Sequence, residues 1–182
     1  LSSSSAASDV YKRQTREGFD LAVRSEVAND QRLVARPLLA WHEMTCASPA
    51  YLEQYGEPRT PQELAGHRCL LNSHYSGREE WLYHQRHELL RVRVSGPFAS
   101  NHYNLLKKAA LVGAGIARLP SYVLHSELAD GRLRWLLRDY QTRSMPMYLV
   151  HSYQGGLPKR TQVLADYLMD WFRRSGEALD RL

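Results

Sequence analysis

The sequence predicts an α/β fold, and three observations carry that prediction. Short apolar extended segments alternate with short helical ones. The helical segments open on Ser, Thr or Asn, twice with Pro directly after. No internal repeat organises the chain.

The elements follow in order. Gly18 to Arg24 (GFDLAVR) reads as a short buried strand after a glycine turn, and Asn29-Asp30 as a loop. Leu33 to Leu39 is extended but interrupted by Pro37, and Glu43 to Ala47 (EMTCA) is another short strand. Ser48-Pro49 then opens a helix through Tyr55, ended by Gly56. Thr60-Pro61-Gln62-Glu63 has the form of a capping box, so a second short helix runs to Gly66. Cys69 to Asn72 is an apolar strand. Glu80 to Val94 reads as a hairpin turning over His84 to Glu88, and Gly96-Pro97 breaks the chain. Ser100 or Asn101 caps a helix through Val112, with Leu105, Leu106, Ala109, Ala110 and Val112 on one stripe. Ile116 to Leu119 is a strand, Pro120-Ser121 starts a helix to about Leu128, and Asp130-Gly131 is a turn. Leu133 to Leu137 and Pro146 to His151 are extended, and Gly155-Gly156 is a loop. From Pro158 to Arg174, Val163, Leu164, Tyr167, Leu168, Trp171 and Phe172 form a wide apolar face that should dock on a sheet.

Composition narrows the function classes. The 182 residues suffice for one domain or two small lobes, and 43% apolar with 24% charged residues is the composition of a folded chain. No apolar run approaches the roughly 18 residues of a membrane span, and mean hydropathy is −0.50. Two cysteines, Cys46 and Cys69, are too few for a disulfide scaffold and fit a reducing, cytoplasmic setting. The net charge of +5 is spread over short groups such as Lys12-Arg13, Lys107-Lys108 and Arg173-Arg174, a pattern of solvated helix faces rather than a nucleic-acid stripe. The chain opens on Leu1, and residues 1–14 (LSSSSAASDVYKRQ) show no apolar period. They are expected to be a flexible tail outside the fold of a fragment.

Reactive constellations are sparse. Gly113-Ala114-Gly115 lacks the third glycine of a dinucleotide loop and follows a helix where that loop follows a strand, so a helix stop and close packing explain it. His84 and His87 sit in a predicted turn with no third metal ligand at suitable spacing. The cysteines read as core, although Cys46 lies just before the Ser48 cap, where a thiol could be activated. No G-x-S-x-G elbow and no acidic pair stand out, so no enzyme, cofactor or metal site is expected. What remains is a binding pattern. The helix starts at Ser48 and at Ser100-Asn101 follow extended segments and suit a carboxylate, and Arg24 would add a forked donor. The plain alternative is that Ser48 and Asn101 are caps only.

The residues also carry a resemblance. Glu17 to Arg24 (EGFDLAVR), Cys46 to Leu52 (CASPAYL), Pro61 to Leu70 (PQELAGHRCL), Trp81, Val94 to Asn101 (VSGPFASN), Ala109 to Pro120 (AALVGAGIARLP), Gly131 to Leu133 and Leu157-Pro158 with the helix after it resemble, in order, the effector-binding domain of LysR-type transcriptional regulators. The resemblance spans Thr15 to Arg174. It implies a two-lobed fold like that of type II periplasmic binding proteins, with one lobe of residues 15–41 plus 153–176 and another of residues 42–152. It implies a small-molecule effector between the lobes, of unknown identity, with Arg24, Ala47, Ser48, Ser100 and Asn101 as contacts and Pro120 nearby.

The same resemblance implies what is missing. A winged helix-turn-helix, a linker helix and the first strand–helix–strand of the ligand domain precede the GFD motif in that family. Promoter DNA would then be bound only through a domain that this chain lacks, and a dimer or tetramer would be the form of the whole protein. A solute-binding protein of a transport system is the rival reading on the same architecture, and it predicts a secretory signal that this sequence does not show.

Overall fold

The structure is a computed structural model and describes residues 19–25, 33–74, 77, 79–86, 88–152 and 155–179. The expected tail over residues 1–14, the start of the first strand at Gly18, the Asn29-Asp30 loop and His87 lie outside the described residues. The chain divides into two units. One falls within Leu1–Ala40 and Met145–Glu177; the other is Trp41–Ser144 together with Ala178–Leu182.

The first unit holds strands β1 (Ala22–Arg24), β2 (Val34–Trp41) and β10 (Met145–His151) in one sheet, ordered β1-β10-β2. Ala22 pairs with Val150 and Arg24 with Tyr148, antiparallel. The sequence reading put β10 in the second lobe. It returns instead to pair beside β1 and β2, because an alternating strand matches any sheet in need of a partner and its period says nothing about which. Leu38, Leu149 and Ala165 form this unit's buried core, with Leu168, Met169 and Phe172 packed against it. The last three and Ala165 come from helix α4 (Lys159–Leu179), which is the expected terminal helix. Its docked stripe is narrower than predicted: Val163, Leu164, Tyr167 and Trp171 are exposed.

The second unit is built on a five-stranded sheet ordered β7-β4-β8-β3-β9: β7 (Ser95–Ser100), β4 (Arg68–Asn72), β8 (Ile116–Pro120), β3 (Glu43–Ala47) and β9 (Arg134–Leu136). Strands β7, β4 and β8 are mutually parallel, and β3 runs antiparallel to β8 and β9. Alternation splits the core by face. Ala47, Cys69 and Leu71 point to one side with Tyr51, Leu64, Trp81 and Tyr83. Met44, Cys46 and Leu70 point to the other, with Leu106 and Ala110 of helix α2 (Tyr103–Leu111). The hairpin β5 (Glu80–Gln85) and β6 (Glu88–Arg93) forms a separate two-stranded sheet with a tighter turn than predicted, since Gln85 pairs with Glu88.

One expectation changes at β7. Gly96-Pro97 does not break the chain; it sits in an edge strand whose register slips between Arg68 and Leu70 of β4. An edge with a bulge is where a sheet tolerates Pro, since the missing N–H faces no partner. The glycine is needed for a different reason: a methyl group on Gly96 would overlap the Cys69 carbonyl, and one on Gly115 would overlap the Arg68 carbonyl. Strand β4 is thus hemmed in on both flanks by backbone that comes too close for a Cβ. The other helical pieces are short: α1 (Pro49–Tyr55), a 3₁₀ turn over Pro61–Gly66, and a 3₁₀ turn at Ser121–Val123 leading to α3 (His125–Ala129).

Candidate binding site

Ser48 is a cap, as one reading of the sequence had it. It is buried, and its Oγ accepts a 3.4 Å hydrogen bond from the Tyr51 N–H at the start of α1. Ala47 before it is fully buried in the core. Register then places both residues. Cys46 pairs with Ala117, Cys69 with Ile116 and Arg68 with Ser95, so Ala47 and Ser48 sit at the sheet end where β4, β7 and β8 begin.

Ser100, Asn101 and Pro120 belong to the opposite end. Asn72 pairs with Ser100 and Glu43 with Pro120, which puts the finish of β4, β7 and β8 beside the start of β3. At ~3.3 Å per residue, the length of β3 separates the two groups by about 13 Å. The structure therefore puts Ser100, Asn101 and Pro120 at one end of the sheet, with β4 between the first two and Pro120, and leaves Ala47 and Ser48 at the other end. The sequence expectation treated every strand-to-helix junction as lying on one side, which holds only where strands run parallel; β3 is antiparallel. Arg24 ends β1 in the first unit, half-buried opposite Tyr148.

Neither Ser100 nor Asn101 caps α2. Its N-cap is His102, which makes no side-chain cap bond. Ser100 instead accepts twice, at Oγ from the His102 N–H (3.0 Å) and at its carbonyl from the Ser73 N–H (3.1 Å). Asn101 is exposed, and among the described residues its side chain has no hydrogen-bond partner. Ser100 is thus held by the backbone while the neighbouring amide is left to solvent.

Three further groups share this end and were missed in the sequence. Ser121 is 3% exposed, and its N–H donates to the His42 carbonyl at 2.9 Å. Asn72 Oδ1 accepts from the His74 N–H at 2.9 Å. The Trp41 and Tyr122 rings meet edge to face at 5.6 Å. The available signal was the Pro120-Ser121 pair, a strand end running straight into a helical turn.

Electrostatics leave little reactivity. Burial pushes the Glu43 carboxyl up, while Arg118, with Nε 2.7 Å from Glu43 Oε2, pulls it back. The same guanidinium lies over Trp81 at 5.1 Å and Tyr83 at 5.9 Å, so the pair is enclosed and already neutral. Burial pushes both thiols up to about 12, which makes Cys46 and Cys69 inert core residues; the helix start at Ser48 does not activate Cys46. His84 lies in β5, bridging to Gln141. No group of three or more potential metal ligands exists among the described residues. The arrangement offers hydrogen-bonding groups at a sheet end, which is equipment for recognition.

Comparison with known proteins gives a consistent result. Residues 2–173 match the LysR substrate binding domain, a span that begins within the segment set apart above as a tail. The HTH-type transcriptional activator AaeR of Escherichia coli K12 is 31% identical over 91% of this chain and 54% of its own length. The full-length structure of CrgA, a LysR-type transcriptional regulator from Neisseria meningitidis, superposes with a TM-score of 0.76 at 27% identity, over 89% of this chain and 55% of that one. The full-length structure of the Vibrio cholerae virulence activator AphB gives 0.74 at 23% identity, over 86% and 53%, a likeness of fold. The chain spans about half the length of the curated relatives it matches.

Proposed function

The chain belongs to the LysR substrate-binding domain family, and from that premise we propose that it is the effector-sensing part of a cytoplasmic transcriptional regulator. The effector would be a small molecule, and promoter DNA would be reached only through a helix-turn-helix domain outside this sequence. The whole regulator would act as a homo-oligomer. Effector binding would shift its population between states that hold the DNA-binding domains differently, which requires unequal affinity for the two states.

The observation that carries the reading is the convergence of Ser100, Asn101 and Pro120, with Ser121, at one end of the five-stranded sheet. An exposed amide beside backbone-fixed hydroxyl and carbonyl groups suits a small polar or anionic effector. Ala47 and Ser48 serve the core and the helix cap in this reading, and Arg24 remains a contact that the family resemblance alone implies. The matched relatives are named as transcriptional regulators, which favours this reading over the transport protein and over an enzyme.

A panel of small carboxylates titrated into the intact chain tests the site. Asn101→Ala should weaken a bound carboxylate by roughly tenfold, the loss of one hydrogen bond to a charged group. Ser48→Ala should leave affinity unchanged while costing about 1 kcal/mol of stability. The reverse order of effects would reject the assignment.

A further inference from the structure

A second feature of the Trp41–Ser144 unit is absorbed neither by the fold nor by the proposed effector end. Beside β9, across β3 from Pro120, lies a cavity of about 310 Å³, large enough for a compact organic molecule. None of Ser100, Asn101, Pro120 or Ser121 lines it. Its walls include Thr45, Trp135, Leu137, Arg138, Tyr140 and Gln141.

Charge decides what it would hold. Glu43 also borders the cavity, but its carboxylate is neutralised by Arg118 at 2.7 Å. Thr45 is spent on Tyr83, with 2.7 Å between their hydroxyl oxygens, and the Thr142 hydroxyl donates to the Glu43 carbonyl at 2.6 Å. Arg138 is different. Its guanidinium carbon lies over the Trp135 indole, 4.9 Å from the ring centre, and among the described residues no carboxylate lies within ion-pair distance. A cation–π contact uses the charge without consuming hydrogen bonds, so the guanidinium keeps N–H donors for an anion. Among the described residues, the exposed Arg138 is thus a cation at the cavity's rim with no ion-pair partner, and Leu136, Leu137 and Tyr140 line the same cavity.

The backbone supplies an independent sign. Leu137 has φ +56, a left-handed conformation that a leucine adopts at a cost of about 1–2 kcal/mol, and it is 8% exposed. That strain turns the chain sharply between β9 and Arg138. It sits at the wall of the cavity, where an ordinary loop would place glycine.

We propose that this cavity is a second small-molecule site, distinct from the Ser100–Asn101 end, and that it takes a compact organic carboxylate whose charge is received by Arg138 and whose body lies on Leu137 and Tyr140. It stands or falls separately from the effector reading, because the two sites share no residue.

The test titrates benzoate and its neutral isostere benzamide into the full chain, following the backbone and indole amide signals by ¹H–¹⁵N spectroscopy. Benzoate should shift Trp135 Nε1–H and the Arg138 and Gln141 amides saturably, and benzamide should bind at least tenfold more weakly. Arg138→Gln should lose the same factor while keeping the fold, as its undisturbed spectrum elsewhere would report. Asn101→Ala should leave the titration unchanged. The proposal is overturned if benzoate produces no saturable shift at these signals, if benzamide binds as well, if Arg138→Gln binds as well, or if Asn101→Ala abolishes the response.

Discussion

Glu127 is 6% exposed, a depth at which an unpaired carboxylate would be costly. Burial pushes its carboxyl up, but hydrogen bonds from Lys107 at 3.0 Å and Ser126 at 2.9 Å overcome that and leave it below the ordinary value of 4.5. The sign of the pH effect follows. A carboxyl that ionises more readily folded than unfolded stabilises the protein above about pH 4.5, and the stabilisation fades as pH falls through the lower folded value. Lys107→Met removes the main partner and leaves Arg132 at 3.6 Å. It should cost about 3 kcal/mol at pH 7 in urea denaturation. Burial would then dominate, the Glu127 carboxyl would rise, and the deficit should narrow at pH 5. A deficit independent of pH would mean that lost packing, not the buried charge, explains it. None of this was legible in the sequence, where Glu127 and Lys107 look like any exposed pair; only the tertiary contact buries them together. The apolar residues were more legible. Cys46 and Cys69 read as core and are, because a small apolar residue in an apolar strand has few other uses.

At the scale of elements, the short strands and the Ser48-Pro49 helix follow from local chemistry: alternation, a capping oxygen, and proline where no N–H is needed. Thr60 to Glu63 shows the limit. Glu63 does reach back, but to the Arg59 N–H at 2.9 Å and the Thr60 hydroxyl at 3.0 Å, and the turn it starts is 3₁₀. Those bonds hold its carboxyl below the usual range. A motif identifies the helix start without choosing the helix. The Ser100-Asn101 cap failed because β7 continues through Ser100, and pairing with β4 outweighed a local preference for capping. The approach of β4 to both neighbours makes a sharper prediction. Gly96→Ala and Gly115→Ala should each lower stability by about 1–3 kcal/mol, since backbone must move to admit the methyl group. Gly131→Ala, with open space around its Cβ, should lose only the cost of its positive φ. Thermal melts of the three variants rank them, and equal losses would contradict the crowding at β4.

For the whole molecule, the α/β class was readable and the assembly of strands into sheets was not. Period-two patterns say which face of a strand is apolar; they do not say which strand lies beside it or which way it runs. That gap explains both misplacements, β10 in its sheet and Ser48 at its end. The family resemblance supplied the two-lobed arrangement that alternation alone could not. The division of the chain also has a measurable consequence. The chain leaves the first unit before Trp41 and returns to it after Ser144, and the segment between carries two core clusters of its own. Expressed alone, it should fold with a cooperative melt and a dispersed amide spectrum. A non-cooperative, molten response would show that it depends on the β1-β10-β2 sheet.

Helix α4 has the last consequence. Val163, Leu164, Tyr167 and Trp171 give one flank of it an oily coat facing water. Concentrated stocks of this polypeptide will tend to stick through that flank, and a trace of mild detergent, or a single Trp171→Lys exchange, is the remedy a preparative chemist should reach for first.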